Sequence, residues 1–208
     1  MTGVLIAFAI VLLVPLFVGT WRTSLLGLAI QGALMTSLSM RQHGLHLSVE
    51  TVLSLVDLTL LRMVGFPLAI FFVLRASNAP KRNDVIAPNM ISWAIALAFV
   101  VVGFRSADVL VPEEGDEQML VAVAASAFLL GLFVLSTSRG TISQIIGLMR
   151  IENAIALFEI GSASRHESVG IRIGQTAVML ISIGFYRWYL VGLLREESAP
   201  PASQRAVL

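Results

Sequence analysis

Seven apolar stretches, each close to the length that crosses a lipid bilayer, occupy most of this 208-residue chain. A helix covers the hydrocarbon core with about 20 residues. Stretches at 3–20, 24–40, 50–75, 89–106, 119–136, 142–161 and 169–192 meet that ruler, the second being short. Backbone polar groups in lipid have to be satisfied within the segment, so each stretch is expected to be a helix. The expected fold class is all-α, a polytopic transmembrane bundle of about seven spans forming a single integral membrane domain over 1–208. Charged residues are 13% of the chain, about half the roughly 25% of a soluble domain. The N-terminal stretch lacks a basic leader and a small-residue cleavage site, so it reads as a retained first span.

No cysteine is present, which excludes disulfides and thiolate-held zinc or iron–sulfur centres in this chain. The net charge of +1 and the lack of a basic tract argue against a nucleic-acid partner. No Ser/His/Asp set or Gly-rich phosphate loop stands out. His43 and His46 are three apart but have no evident third ligand for a metal. The linker Arg75 to Pro88 is basic (Arg75, Lys81, Arg82), and Ser106 to Gln118 is acidic (Asp108, Glu113, Glu114, Asp116, Glu117). Arg22, Arg75, Lys81, Arg82, Arg139, Arg195 and Arg205 fall on one side of the seven-span topology. Arg41, Arg105 and Arg165 fall on the other. The positive-inside rule then places the N-terminus outside and the C-terminus in the cytoplasm. Phe185-Tyr186-Arg187-Trp188-Tyr189 reads as an aromatic belt at the cytoplasmic interface.

Charges inside three spans separate this chain from a plain hydrophobic bundle. A charge at the centre of a membrane helix costs roughly 2.5–3.5 kcal/mol. Span three holds Asp57, Arg62 and Pro67. Five residues turn an α-helix by about 140°, so Asp57 and Arg62 are not expected to pair and should seek partners on other helices. Pro67 withholds a donor from the carbonyl of Met63 and predicts a kink or an ordered water beside Arg62. Span six holds Gln144, Arg150, Glu152, Asn153 and Glu159. Glu152 and Glu159 share one face about 10.5 Å apart along the axis, and Arg150 points the other way. Gln144 extends the acidic face. Span seven sets Arg172, Gln175, Thr176 and Ser182 on one stripe, with Arg172 close enough to the outer end to reach the interface. Titratable groups spaced for water bridging, with cations nearby, suit a proton path. The same charges also suit static ion pairs that hold helices together.

The run from Arg139 to Phe158 contains Gly147-Leu148-Met149-Arg150-Ile151-Glu152-Asn153-Ala154. It resembles the component E membrane subunit of hydrogenase-4-type complexes, which carries Met-Glu-Asn-Gly at the matching place. Over about 119–192 the chain is also similar to the K-type subunit, the smallest membrane subunit of respiratory complex I. There an arginine-bearing loop precedes Gly-Leu-Glu and, a turn later, Asn-Ala. Gly147-Leu148 and Asn153-Ala154 fit, while the carboxylate falls three positions on, at Glu152. Component E subunits also have a lysine five residues before a proline. Arg62 and Pro67 keep the spacing with an arginine, which stays protonated. Where the complex I relative has a glutamate in its next helix, this chain has Gln175 or Gly174.

The resemblance implies a membrane-arm subunit of a complex I-related, hydrogenase-4-like respiratory complex in a bacterial or archaeal cytoplasmic membrane. Such a subunit takes part in redox-coupled proton translocation without a catalytic centre or cofactor of its own. The implied partners are antiporter-like and other membrane subunits, the lipid bilayer and, indirectly, a soluble redox arm. On this reading Glu152 titrates at the bilayer centre, with Asp57 and Glu159 extending the path. Arg62, Arg150 and Arg172 adjust the local charge, Gln144, Asn153 and Gln175 give polar support, and Pro67 breaks the helix. The alternatives are a subunit of an Mrp-type cation/proton antiporter and a non-transporting scaffold.

Overall fold

The computed structural model describes residues 2–17, 20–43, 48–76, 90–111, 115–162 and 169–198. Among these the chain is all-helical. The elements are α1 (Thr2–Phe17), α2 (Trp21–His43), α3 (Val49–Leu55), a π-helical segment (Val56–Gly65), α4 (Phe66–Ala76), α5 (Met90–Leu110), α6 (Asp116–Thr137), α7 (Thr141–Ser162) and α8 (Val169–Ser198). The helices start where side chains cap them. The Thr23 amide donates to Thr20 Oγ1 at 3.3 Å ahead of α2, and the Thr51 amide donates to Ser48 Oγ at 3.1 Å at the start of α3. Asp116 and Glu117 open α6, where the helix dipole favours negative charge.

Five helices are long and apolar enough to cross a membrane: Trp21–Arg41, Thr51–Ala76, Met90–Leu110, Asp116–Thr137 and Val169–Arg195. The other two expected spans do not reach that standard. α1 has 16 residues, fewer than the about 20 required. α7 has 22, but its internal charges and amides make it too polar by composition alone. α2 is longer than expected, at 23 residues. The acidic linker is mostly helical, since α5 runs to Leu110 and α6 begins at Asp116. Lys81, Arg82, Glu113, Glu114, His46, Arg165 and Arg205 lie outside the described residues, as does the side chain of His43.

α1, α2, α6 and α7 form a four-helix group in which α1 touches α2 and α6, and α7 touches the same two. Leu5, Phe8 and Leu12 of α1, Met35 and Leu38 of α2, Leu120 and Leu130 of α6, and Leu157 of α7 share its core. α5 flanks α6 on one side. On the other side the α3–π–α4 rod packs on α2, and α8 packs on the rod. A second core there joins Trp21, Leu28, Leu61, Phe66, Ile70, Met149 and Met179. The polar helix α7 is therefore an interior strut, with Ser143, Gly147, Arg150 and Asn153 all buried.

The rod lies very close to α2. A Cβ added at Gly32 would stand 2.7 Å from both Cα and N of Met63. Glycine lets two membrane helices touch backbone to backbone, and here it seats the π-segment directly on α2. α6 and α7 also come close at Gly131, where a Cβ would fall 2.7 Å from Ile151 Cγ1 and 3.2 Å from its backbone N.

Candidate functional site

The π-segment overturns the expected separation of Asp57 and Arg62. Its bonds join residues five apart; the Phe66 amide, for example, donates to the carbonyl of Leu61. In that wider coil residues 57 and 62 come round to one face. Arg62 Nε donates to Asp57 Oδ2 at 2.8 Å, with both residues buried at 8% and 9% exposure. Pro67 is the second residue after the segment. In the register set by Phe66 it withholds a donor from the carbonyl of Arg62 rather than that of Met63. The expected irregularity thus takes the form of a widened coil upstream of the proline, and π-segments of this kind recur at functional sites.

From this pair the polar contacts cross to α7 and α2. Arg62 Nη1 donates to Asn153 Oδ1 at 3.2 Å. Asn153 Nδ2 donates to Gln31 Oε1 at 3.3 Å, and Gln31 is 1% exposed. Three helical elements are tied at one level by two amides and an ion pair, which is how polar side chains are kept inside a membrane. Asp57 Oδ1 is buried and has no hydrogen-bond partner among the described residues.

Glu152 sits beside Asn153 but points toward α8, where the hydroxyls of Ser182 and Tyr186 donate to it. These two are four residues apart and so share one face of α8. The charges of Arg62 and Asp57 also act on Glu152. The half-buried carboxylate therefore closes a cluster of Gln31, Asp57, Arg62, Glu152, Asn153, Ser182 and Tyr186. Its formal charges, one arginine against two carboxylates, leave an excess of one negative. Tyr186 is thus more than a belt residue; its ring also meets Phe66 edge-on at 6.3 Å.

A seam of hydroxyls leads away from the cluster along the contact of α2 with the rod. Thr36 and Thr59 lie 3.2 Å apart, and Ser39 and Ser54 lie 3.4 Å apart. Each step is about one helical turn further toward the start of α3.

The remaining candidates are not drawn into the cluster. Glu159 is half-buried two turns along the Glu152 face of α7. Gln175 lies on α8 seven residues before Ser182, on the same stripe, and is half-buried. The backbone carbonyl of Arg172 accepts from Thr176 Oγ1 at 3.0 Å near the start of that helix. Gln144 donates from Nε2 to the Ser138 carbonyl at 3.2 Å, so it holds the α6–α7 turn. Arg150 is 3% exposed, on the opposite face of α7 from Glu152 and one turn from Asn153, with its Nε and Nη1 unbonded among the described residues. The sequence reading missed Gln31 as a partner. Its signal is plain in hindsight, a lone amide midway along an apolar span.

The arrangement can hold, pass or exchange one positive charge, since a titratable carboxylate is held by hydroxyl donors next to a fixed ion pair. Among the described residues no group of three or more His, Cys, Asp or Glu is placed to hold a metal ion. Comparison with protein-family models, with curated proteins and with solved structures finds no match.

Proposed function

We propose that this chain is a membrane-arm subunit of a complex I-related, hydrogenase-4-like assembly, and that Glu152 takes up and releases a proton within it. The observation that carries the reading is the Glu152 carboxylate, deep in α7, held by Ser182 and Tyr186 and acted on by the Asp57–Arg62 pair. A membrane-buried ionisable group with polar neighbours is a functional site by default, and the stretch that holds it is the one resembling component E and K-type subunits. In this proposal α1 and α7 join the five apolar helices to give seven spans. α7 is shielded by its neighbours, and the N-terminus lies outside. The Thr36–Thr59 and Ser39–Ser54 seam is the route between Glu152 and one face of the membrane. The exposed apolar flank of α8, with Ile173, Val178, Ile181 and Trp188, faces antiporter-like subunits or lipid.

The test is Glu152→Gln in the assembled complex. Proton translocation coupled to redox turnover is expected to fall on the order of 100-fold, with assembly unchanged. Survival of both turnover and translocation at wild-type rates rejects the role. Thr36→Val with Ser39→Ala removes one hydroxyl from each seam pair and is expected to slow proton uptake, measured with a pH dye in proteoliposomes, by about tenfold.

The 2.8 Å contact of Asp57 with Arg62 favours a second reading, a static brace in a scaffold subunit. That reading expects Glu152→Gln to be silent and the paired replacement of Asp57 and Arg62 by apolar residues to keep activity. An Mrp-type antiporter differs again in its metals. Nickel and iron that co-purify with the chain support the redox assembly, and sodium-dependent transport without them supports the antiporter.

A further inference from the structure

Arg150 plays no part in the cluster, and its surroundings set a separate problem. It is 3% exposed. Its Nε and Nη1 are buried without a hydrogen-bond partner among the described residues. No ion pair reaches it among the described residues; the salt bridges there join Arg62 to Asp57 and Arg105 to Asp108. Gly147 and Asn153, three residues before and after it, share its face with Ala154; Gly147 packs on Leu135 of α6, Asn153 bonds to Gln31 of α2, and Ala154 belongs to the apolar core made with α1, α2 and α6. This face of α7 therefore lies between α2 and α6.

A buried unpaired charge is strongly unfavourable in apolar surroundings. Unsatisfied buried donors in a folded protein call for a water or an ion. Water satisfies N–H donors but leaves the net charge. An anion does both. One guanidinium balances one negative charge, and the close approach of α6 and α7 at Gly131 and Gly147 suits a small ion rather than a lipid headgroup. We propose that Arg150 binds a small monovalent anion of the chloride class where α7 packs between α2 and α6, stabilising that packing independently of events at Glu152.

The test uses the full-length chain in mild detergent at constant ionic strength, with sodium bromide replacing sodium gluconate. Unfolding is followed by intrinsic fluorescence. Trp21 is buried in the core that contains Ile145, Ile146 and Met149 of α7, so it reports on this strut. The wild-type unfolding temperature is expected to rise by about 5 °C between about 1 mM and about 300 mM bromide, and Arg150→Met is expected not to respond. A flat wild-type profile overturns the proposal, and so does an equal rise in Arg150→Met. If Arg150→Met does not accumulate, Arg150→Lys decides. A bromide midpoint raised about tenfold or more supports the site, and an unchanged midpoint overturns it.

Discussion

Arg62→Met is expected to leave little folded protein in the membrane. Arg62 is the cation that faces both Asp57 and Glu152. Without it two carboxylates remain at the junction of α2, the π-segment, α7 and α8. Asp57 would lose its Nε–H partner at Oδ2 while Oδ1 is already unpartnered. Breaking one side of a buried pair costs about 3–5 kcal/mol, a large fraction of the roughly 5–15 kcal/mol that holds a typical domain together. The Asn153 amide would also lose the donor at its Oδ1, loosening the link to Gln31. Asp57→Leu combined with Arg62→Met removes both charges and is expected to recover most of the accumulation. The yield of monodisperse protein in detergent and its unfolding temperature check both results. A double variant as poor as the single one would show that the loss comes from packing and not from an unpaired charge.

The second large effect concerns Gly32, which carries no chemistry. Its missing side chain lets the Met63 backbone lie against α2. Alanine already places a Cβ 2.7 Å from two backbone atoms of Met63, so the rod has to move by several tenths of an ångström. Leucine requires helix separation. Overpacking a fitted interface costs about 1–3 kcal/mol, and Gly32→Leu is expected to reach or exceed the upper end because backbone atoms stand in the way. The displaced rod also carries Asp57 and Arg62 away from Asn153, so the cluster opens with the interface. Gly174→Leu on α8, where nothing lies within 4 Å, is the matched control and is expected to behave as wild type. Unfolding temperature and protease resistance in detergent compare the two. Equal stability of both variants would show that the α2–rod contact is not tight.

Much of this was legible from residue types alone. Asp57, Arg62, Glu152 and Asn153 stand out because charges and amides inside apolar runs have few innocent explanations. The limits of the long helices could be read to within a few residues, apart from α2, the acidic linker and the far end of α8, where the capping threonine Thr20 or continued helical turns extended them. What could not be read was how the charges meet. The separation inferred for Asp57 and Arg62 assumed an α-helical turn, and the coil there is wider. Apolar length could not show which spans are interior. α7 is too polar to be counted on composition, and its burial comes from neighbours distant in the chain. Gln31 and Ser182 are ordinary polar residues until Asn153 and Glu152 reach them across three helices. Arg150 was legible as a cation opposite the acidic face, but the lack of a partner at its Nε and Nη1 among the described residues shows only in three dimensions.

The widened coil also governs how this chain tolerates a change of length. Bonds between residues five apart use one more residue per turn than the α pattern, so Val56–Gly65 holds slack that a regular helix lacks. Losing a single codon there has somewhere to go, because the backbone can tighten toward ordinary winding while the flanking turns keep their seats. The same loss in α6 or α7 would swing every later side chain by about 100° and carry an inward face out to the acyl chains. Among descendants of this sequence, tolerated deletions within the spans should gather in that one stretch.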